Sequence, residues 1–294
     1  MADAPVLGRV LSAMVTPMRA DGSVDLDAAQ RLATHLVDQG HDGIVVSGTT
    51  GESPTTSAAE KEDLLRAVIG AVGDRAVIVA GAGSNDTAKS VESVRMAEKV
   101  GANAVLAVTP YYNKPPQAGL VAHFLALADA SDLPVMVYDI PGRSGIAIAR
   151  ETYLRIAEHE RITAVKDARA DLWLASQLME QTGLDWYSGD DAMNLAHFVN
   201  GAVGFVGVTS QTAPAVYRRL ADAVVEGRWD DARAIHRSLH GLVDAVMNVT
   251  QGAIMAKAGL AEQGLLSSAA VRLPLVEATE DQRALVRDAL ATVS

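Results

Sequence analysis

The stretch Ile162-Thr163-Ala164-Val165-Lys166-Asp167 reads as a short buried strand ending in an ionisable pair. Its first four residues form a run of strand length, rich in β-branched side chains. The chain has only six lysines, and Lys166 alone closes such a run. An amine held there is partly cut off from water, and desolvation favours its neutral form. Moving a lysine from about 10.4 to roughly 7–8 costs around 1.4 kcal/mol per unit, within reach of burial plus charged neighbours. A neutral amine in a pocket can attack a carbonyl carbon and form a Schiff base. The same placement also suits an ion pair between Lys166 and Asp167, or another carboxylate at the strand end.

Outward from this strand, similar runs recur at Leu11–Pro17, Gly43–Thr50, Ala76–Gly83, Ala104–Tyr112, Pro134–Pro141, Asp185–Asp191 and Gly201–Ser210, which makes eight with the first. Between the early ones, Leu26–Gln39, Ser57–Ile69 and Asp86–Val100 carry apolar residues at helical spacing, with Ser57 and Asn85 as capping candidates. Strict strand–helix alternation implies right-handed parallel crossovers, and eight units predict an α/β fold, the closed (β/α)8 or TIM barrel. An open doubly wound sheet alternates in the same way, but here no glycine-rich dinucleotide turn follows the first strand. The strand signal stops near residue 225. Trp229–Val249, Ala253–Gln263 and Ala278–Val293 then read as helices. The expected division is a catalytic barrel over residues 1–227 and a small helical C-terminal appendage over 228–294.

The 294 residues carry a net charge of −11, with no basic stripe to neutralise phosphates, which argues against a nucleic-acid partner. The absence of cysteine removes disulfides, thiolate metal sites and a cysteine nucleophile, and is compatible with a reducing cytoplasm. Met1-Ala2-Asp3-Ala4-Pro5 has no basic region and does not read as a signal peptide. No run is long and apolar enough to suggest a membrane span. A cytoplasmic location is the expectation.

In a (β/α)8 barrel the chemistry gathers at the C-terminal ends of the strands. The second run ends in Ser47-Gly48-Thr49-Thr50-Gly51-Glu52-Ser53, whose hydroxyls and backbone N–H groups can receive a carboxylate, although a turn with an N-cap also explains part of it. The fourth ends in Thr109-Pro110-Tyr111-Tyr112-Asn113-Lys114 and the fifth in Tyr138-Asp139-Ile140-Pro141-Gly142-Arg143. A tyrosine beside an amine can move protons, and an arginine can grip a carboxylate with both arms. The seventh ends in Ser188-Gly189-Asp190-Asp191, where phosphate-binding barrels usually offer donors; two carboxylates there disfavour a phosphorylated substrate. The seven histidines show no HExxH pattern, and His236 with His240 fits a helix surface.

Taken together, these four strand-end motifs, in this order, resemble the dihydrodipicolinate synthase/N-acetylneuraminate lyase family over essentially the whole chain. The resemblance implies a homotetrameric, class I aldolase-type barrel without metal or organic cofactor. It matches Lys166 to the Schiff-base lysine, Tyr138 to the catalytic tyrosine, and Thr49 to the hydroxyl that links Tyr138 to a second tyrosine. That second tyrosine is matched by Tyr112, and the family supplies it from a neighbouring subunit. Thr50 matches the residue holding the pyruvate carboxylate; Gly189 and Val206 match further pocket positions. Arg143 points to the synthase branch, in which it binds the carboxylate of L-aspartate 4-semialdehyde. The implied reaction joins pyruvate to that aldehyde to give 4-hydroxy-tetrahydrodipicolinate, in lysine and diaminopimelate biosynthesis. The alternatives are another aldolase of this family acting on a sugar-derived aldehyde, and a non-catalytic 2-keto-acid-binding protein. Two departures stand out. Asp139 replaces the asparagine common after the catalytic tyrosine, and Thr250-Gln251-Gly252 stands where many members have Asn-Pro. Ala58, Lys61 and Lys89 occupy positions where lysine-inhibited members carry histidines and a glutamate, although Ser53, Asn85 and Tyr111 are kept.

Overall fold

The run that ends in Lys166 is strand β6 (Ile162–Asp167) of eight, the others being β1 (Val10–Ala13), β2 (Gly43–Val46), β3 (Val77–Gly81), β4 (Ala104–Val108), β5 (Val135–Asp139), β7 (Asp185–Ser188) and β8 (Gly204–Gly207). The computed structural model describes residues 5–293. Every neighbouring pair is parallel, and β8 pairs with β1 through Leu11↔Val206, so the ring closes in sequence order. That closure excludes the open sheet. Both faces of such a strand are covered, which is why the runs are continuously apolar rather than alternating; β1 and β2 are buried at every position.

Helices α1 (Leu26–Asp38), α2 (Ala58–Val72), α3 (Thr87–Val100) and α4 (Gln117–Ala128) follow the first four strands. Ser57 starts α2 with a full capping box, accepting from Glu60 N–H while the Glu60 carboxylate accepts from Ser57 N–H. Asn85 does not cap α3. Asp86 does, accepting from the N–H groups of Ala88 and Lys89, because its carboxylate is one residue closer to those donors. The outer layer continues with α5 (Pro141–Ser144), α6 (Arg150–Ile156), α7 (Leu172–Thr182), α8 (Asn194–Val199) and α9 (Pro214–Val225).

The C-terminal helices are α10 (Trp229–Ser238), α11 (His240–Val243), α12 (Gly252–Glu262) and α13 (Glu280–Ala291). The single helix expected over Trp229–Val249 is broken at Leu239 and ends in a wide π-turn, Asp244–Asn248. The wider turn keeps Leu242, Val243, Ala245 and Val246 all on the buried side. α12 is buried from Gly252 through Leu260, on all sides. The one charge within that buried stretch, Lys257, pairs with Glu52 in the loop after β2. Lys257 Nζ also donates to Ala270 O at 2.7 Å, and Arg272 N–H donates to Glu52 Oε2 at 2.9 Å. Among the described residues, no helix is long and apolar enough to cross a membrane.

Candidate active site

Tyr138 and Lys166 are register partners at the ends of β5 and β6, so both side chains point the same way, into the barrel mouth. Lys166 Nζ lies 4.3 Å from the centroid of the Tyr138 ring. Lys166 is only 3% exposed. Burial pushes its amine down to about 7; the Asp191 carboxylate opposes this and the Arg143 guanidinium adds to it. Burial pushes the Tyr138 phenol up to about 12, against the pull of Arg143. The amine is therefore available in its neutral form near neutral pH while the phenol keeps its proton. That combination supplies a nucleophile and a proton donor side by side.

The ion-pair reading of Lys166 with Asp167 does not hold. Alternation along β6 turns Asp167 to the outer face, where it accepts from Arg169 Nε at 3.1 Å and Nη2 at 3.3 Å. Gly189, after β7, is shaped by the lysine. A Cβ there would sit 2.9 Å from Lys166 Cγ and 3.0 Å from Cε, so only glycine lets the stem pass. Gly189 N–H donates to Asp167 O at 2.8 Å, which holds the loop against β6. Val206 is buried in β8, opposite Leu11 of β1.

The loop after β2 is held by its own backbone. Gly51 N–H donates to Gly48 O at 3.0 Å, Glu52 N–H to Thr49 O at 3.1 Å, and Thr16 Oγ1 to Gly51 O at 2.6 Å. Ser47 and Glu52 adopt left-handed backbone angles, φ 58° and 54°. Gly81 in β3 makes this tight path possible, since a Cβ there would lie 2.3 Å from Ser47 O. Thr50 is buried. Thr49 opens onto a cavity of about 550 Å³ that Tyr112, Tyr138, Arg143, Tyr111 and Lys114 also line. Of the eight residues singled out from the sequence, Thr49, Tyr112, Tyr138 and Arg143 thus share one cavity, and Tyr138 joins it to Lys166. Thr50, Gly189 and Val206 do not line it. Among the described residues, no hydrogen bond joins the hydroxyls of Thr49, Tyr138 and Tyr112, although all three residues line that cavity. Tyr112 is 88% exposed, with φ 73°.

Three buried groups escaped the sequence reading. Asp191 accepts from the N–H groups of Val208 at 2.9 Å and Thr209 at 3.1 Å, which fixes a carboxylate near Lys166. Glu52 meets Lys257 across the fold. Arg169 lies between Asp167 and Asp139. The first had a signal in the paired acids after β7, and Arg169 had one in its spacing of two from Asp167; the pairing of Glu52 with Lys257 is a contact no local pattern encodes.

A (β/α)8 barrel with a buried, readily deprotonated lysine at a strand end, facing a protonated tyrosine, belongs to the class of lysine-dependent lyases. Residues 6–293 match the model of the dihydrodipicolinate synthetase family, and the chain belongs to that family. It is 56% identical over 284 residues to a 4-hydroxy-tetrahydrodipicolinate synthase of Kineococcus radiotolerans, covering 97% of this chain and 92% of that protein. Among solved structures it resembles a dihydrodipicolinate synthase of Cyanidioschyzon merolae with lysine bound, at TM-score 0.94 and 39% identity, covering 98% of each chain. It also resembles the enzyme of Acinetobacter baumannii complexed with pyruvate, at TM-score 0.94 and 33% identity, covering 98% of this chain and 99% of that one.

Proposed function

We propose that the protein condenses pyruvate with L-aspartate 4-semialdehyde to give 4-hydroxy-tetrahydrodipicolinate, through a Schiff base on Lys166. The observation that carries this reading is the buried Lys166 amine, brought down to about 7 and set against Tyr138. The neutral amine attacks C2 of pyruvate, and loss of water gives the imine. Loss of a C3 proton then gives an enamine, whose charge the iminium nitrogen takes up. The enamine carbon attacks the aldehyde of the second substrate. That substrate's own amine then displaces Lys166 and closes the ring. No metal or organic cofactor enters these steps.

In this scheme Tyr138 transfers protons through Thr49 and Tyr112, and Thr50 holds the pyruvate carboxylate. Arg143, in the short helix after β5, receives the carboxylate of the semialdehyde in a charge-assisted fork. Gly189 leaves room for the lysine stem, and Val206, buried in β8, backs the site from inside the barrel without lining the cavity. Tyr112 lies at the rim of its own chain's cavity yet is 88% exposed, which suits a side chain that also reaches a neighbour's site; a homotetramer, as the family resemblance implies, is the assembly proposed. Lysine and diaminopimelate biosynthesis in the cytoplasm is the setting that follows. The relatives bearing this name and the similar structure holding pyruvate support the same assignment.

The test is borohydride reduction in the presence of pyruvate, followed by turnover with L-aspartate 4-semialdehyde and with a sugar-derived aldehyde. One adduct per chain on the peptide containing Lys166, with turnover of the semialdehyde alone, is the expected result. An adduct on Lys114 or Lys257 overturns the mechanism, and preference for the sugar-derived aldehyde overturns the substrate.

A further inference from the structure

Behind the reactive pair lies a second pair. Asp139 and Asp167 each follow a reactive residue by one position, and they too are register partners on β5 and β6. Alternation places them on the outer face of the barrel, where both side chains are fully buried. Arg169 folds back from the loop after β6 to meet them. Its Nε lies 3.1 Å from Asp167 Oδ1 and 3.4 Å from Asp139 Oδ2. Arg169 N–H donates to Asp167 Oδ1 at 3.0 Å, and the next residue, Ala170, takes φ 61°, an uncommon angle for a residue with a Cβ. The guanidinium rests near the rings of Tyr153 and Trp186, with its carbon 5.2 and 5.8 Å from their centroids. Asp139 Oδ2 also accepts from Tyr153 O–H at 3.0 Å and Ile148 N–H at 3.2 Å, while Oδ1 has no partner.

We propose that Arg169 is a positioning residue, which sets the spacing of Tyr138 and Lys166 by clamping the carboxylate that follows each of them. Two buried like charges on adjacent strands repel, and one guanidinium neutralises part of that repulsion: its fork binds both oxygens of Asp167, while the same Nε draws in Asp139 Oδ2 at 3.4 Å. Asp139 is thereby explained: a carboxylate at this position is tolerated because Arg169 is there to meet it. With the guanidinium removed, two carboxylates face each other unscreened. At acid pH one can take a proton and bond to the other; at alkaline pH both ionise and push the strands apart. The groups that face Asp139 are Arg169 and Asp167 from β6 and its loop and Tyr153 from α6; His197 of α8 stands beyond, within the field of Asp167 and Arg169.

This inference rests on the assignment of Lys166 as the imine-forming residue. The experiment is the single-turnover rate of borohydride trapping by saturating pyruvate, from acid to alkaline pH, for the wild type, Arg169→Met, Asp139→Asn and the double variant. Thermal melting is followed alongside. A small displacement of reacting groups costs up to about a hundredfold, so Arg169→Met is expected to trap roughly 10- to 100-fold more slowly. The loss should be steepest at alkaline pH, and Asp139→Asn should recover most of it in the double variant. A rate equal to that of the wild type overturns the clamp. So does a loss that is the same at every pH and is not relieved by Asp139→Asn, because that pattern belongs to a residue serving stability alone. If Arg169→Met does not fold, Arg169→Lys keeps the charge and loses the fork; it should be slowed without the alkaline steepening, and wild-type behaviour again overturns the clamp. Absence of an adduct on Lys166 in the wild type instead overturns the assignment on which the inference rests.

Discussion

Lys166 Nζ stands over the face of the Tyr138 ring, 4.3 Å from its centroid. A ring face attracts an ammonium, so this contact alone stabilises the charged amine. Desolvation is the stronger effect, and the amine is brought down to about 7. Its two charged neighbours act with opposite signs, Asp191 raising it and Arg143 lowering it.

The rate of pyruvate trapping should therefore rise with pH through about 7, as the amine loses its proton, and then level off. Arg143→Gln removes a cation, which raises the amine's pKa and moves that rise to higher pH. Asp191→Asn removes an anion and moves it to lower pH. Stopped-time borohydride trapping over a pH series checks both directions, and equal shifts of one sign contradict the account.

Arg143→Ala should spare imine formation at its own optimal pH and impair use of the semialdehyde. An unpaired carboxylate contact costs on the order of 2–3 kcal/mol, or roughly 30- to 150-fold in kcat/KM for that substrate. Steady-state kinetics with both substrates, set beside the trapping rate, separates the two halves of the reaction.

Tyr112→Phe and Lys166→Ala should each be inactive alone, yet mixed oligomers formed by subunit exchange should regain activity. Some sites in such mixtures receive an intact lysine from one chain and an intact tyrosine from another. An absence of recovery in verified mixed oligomers places Tyr112 in its own chain's site or outside the chemistry.

Lys257→Met leaves the Glu52 carboxylate buried without its partner, which should cost about 3–5 kcal/mol in chemical denaturation. Lys257→Met combined with Glu52→Gln should recover most of that loss, because an uncharged pair no longer demands a counter-ion. Additive losses in the double variant contradict the pairing.

L-Lysine should inhibit weakly or not at all. Lys61 of α2 is half-buried and Lys89 lies on α3; both stand at the positions that the family resemblance matches to the inhibitor's contacts, where an ammonium group would repel a cationic ligand. The similar Cyanidioschyzon merolae structure has lysine bound. Steady-state assays with added L-lysine check this, and inhibition below millimolar concentration contradicts it.

The barrel was legible because its strands are buried on both faces, so each appears as an unbroken apolar run between helical spacings. Lys166 was legible for the same reason, as a charge closing a run that has no place for one. The partner of Asp167 was harder to read: Arg169 folds back onto it through a turn in which the Arg169 N–H donates to Asp167 Oδ1 at 3.0 Å, whereas a strand running on would have carried it away. Glu52 and Lys257 are 205 residues apart, and neither carries a local sign of the other. The break at Leu239 was hidden because the residues on either side keep an apolar pattern compatible with one continuous helix.

The pairing of Glu52 with Lys257 also orders events during synthesis. Glu52 leaves the ribosome 205 residues before the amine that neutralises it, a delay of about 10–40 s at ordinary elongation rates. Strands β3 to β8 are all made within that interval and complete the barrel, yet the loop carrying Thr49 and Thr50 cannot bury its carboxylate until α12 emerges. A nascent chain can therefore close its barrel and still lack a finished catalytic mouth, so the last helices act as the step that matures the site.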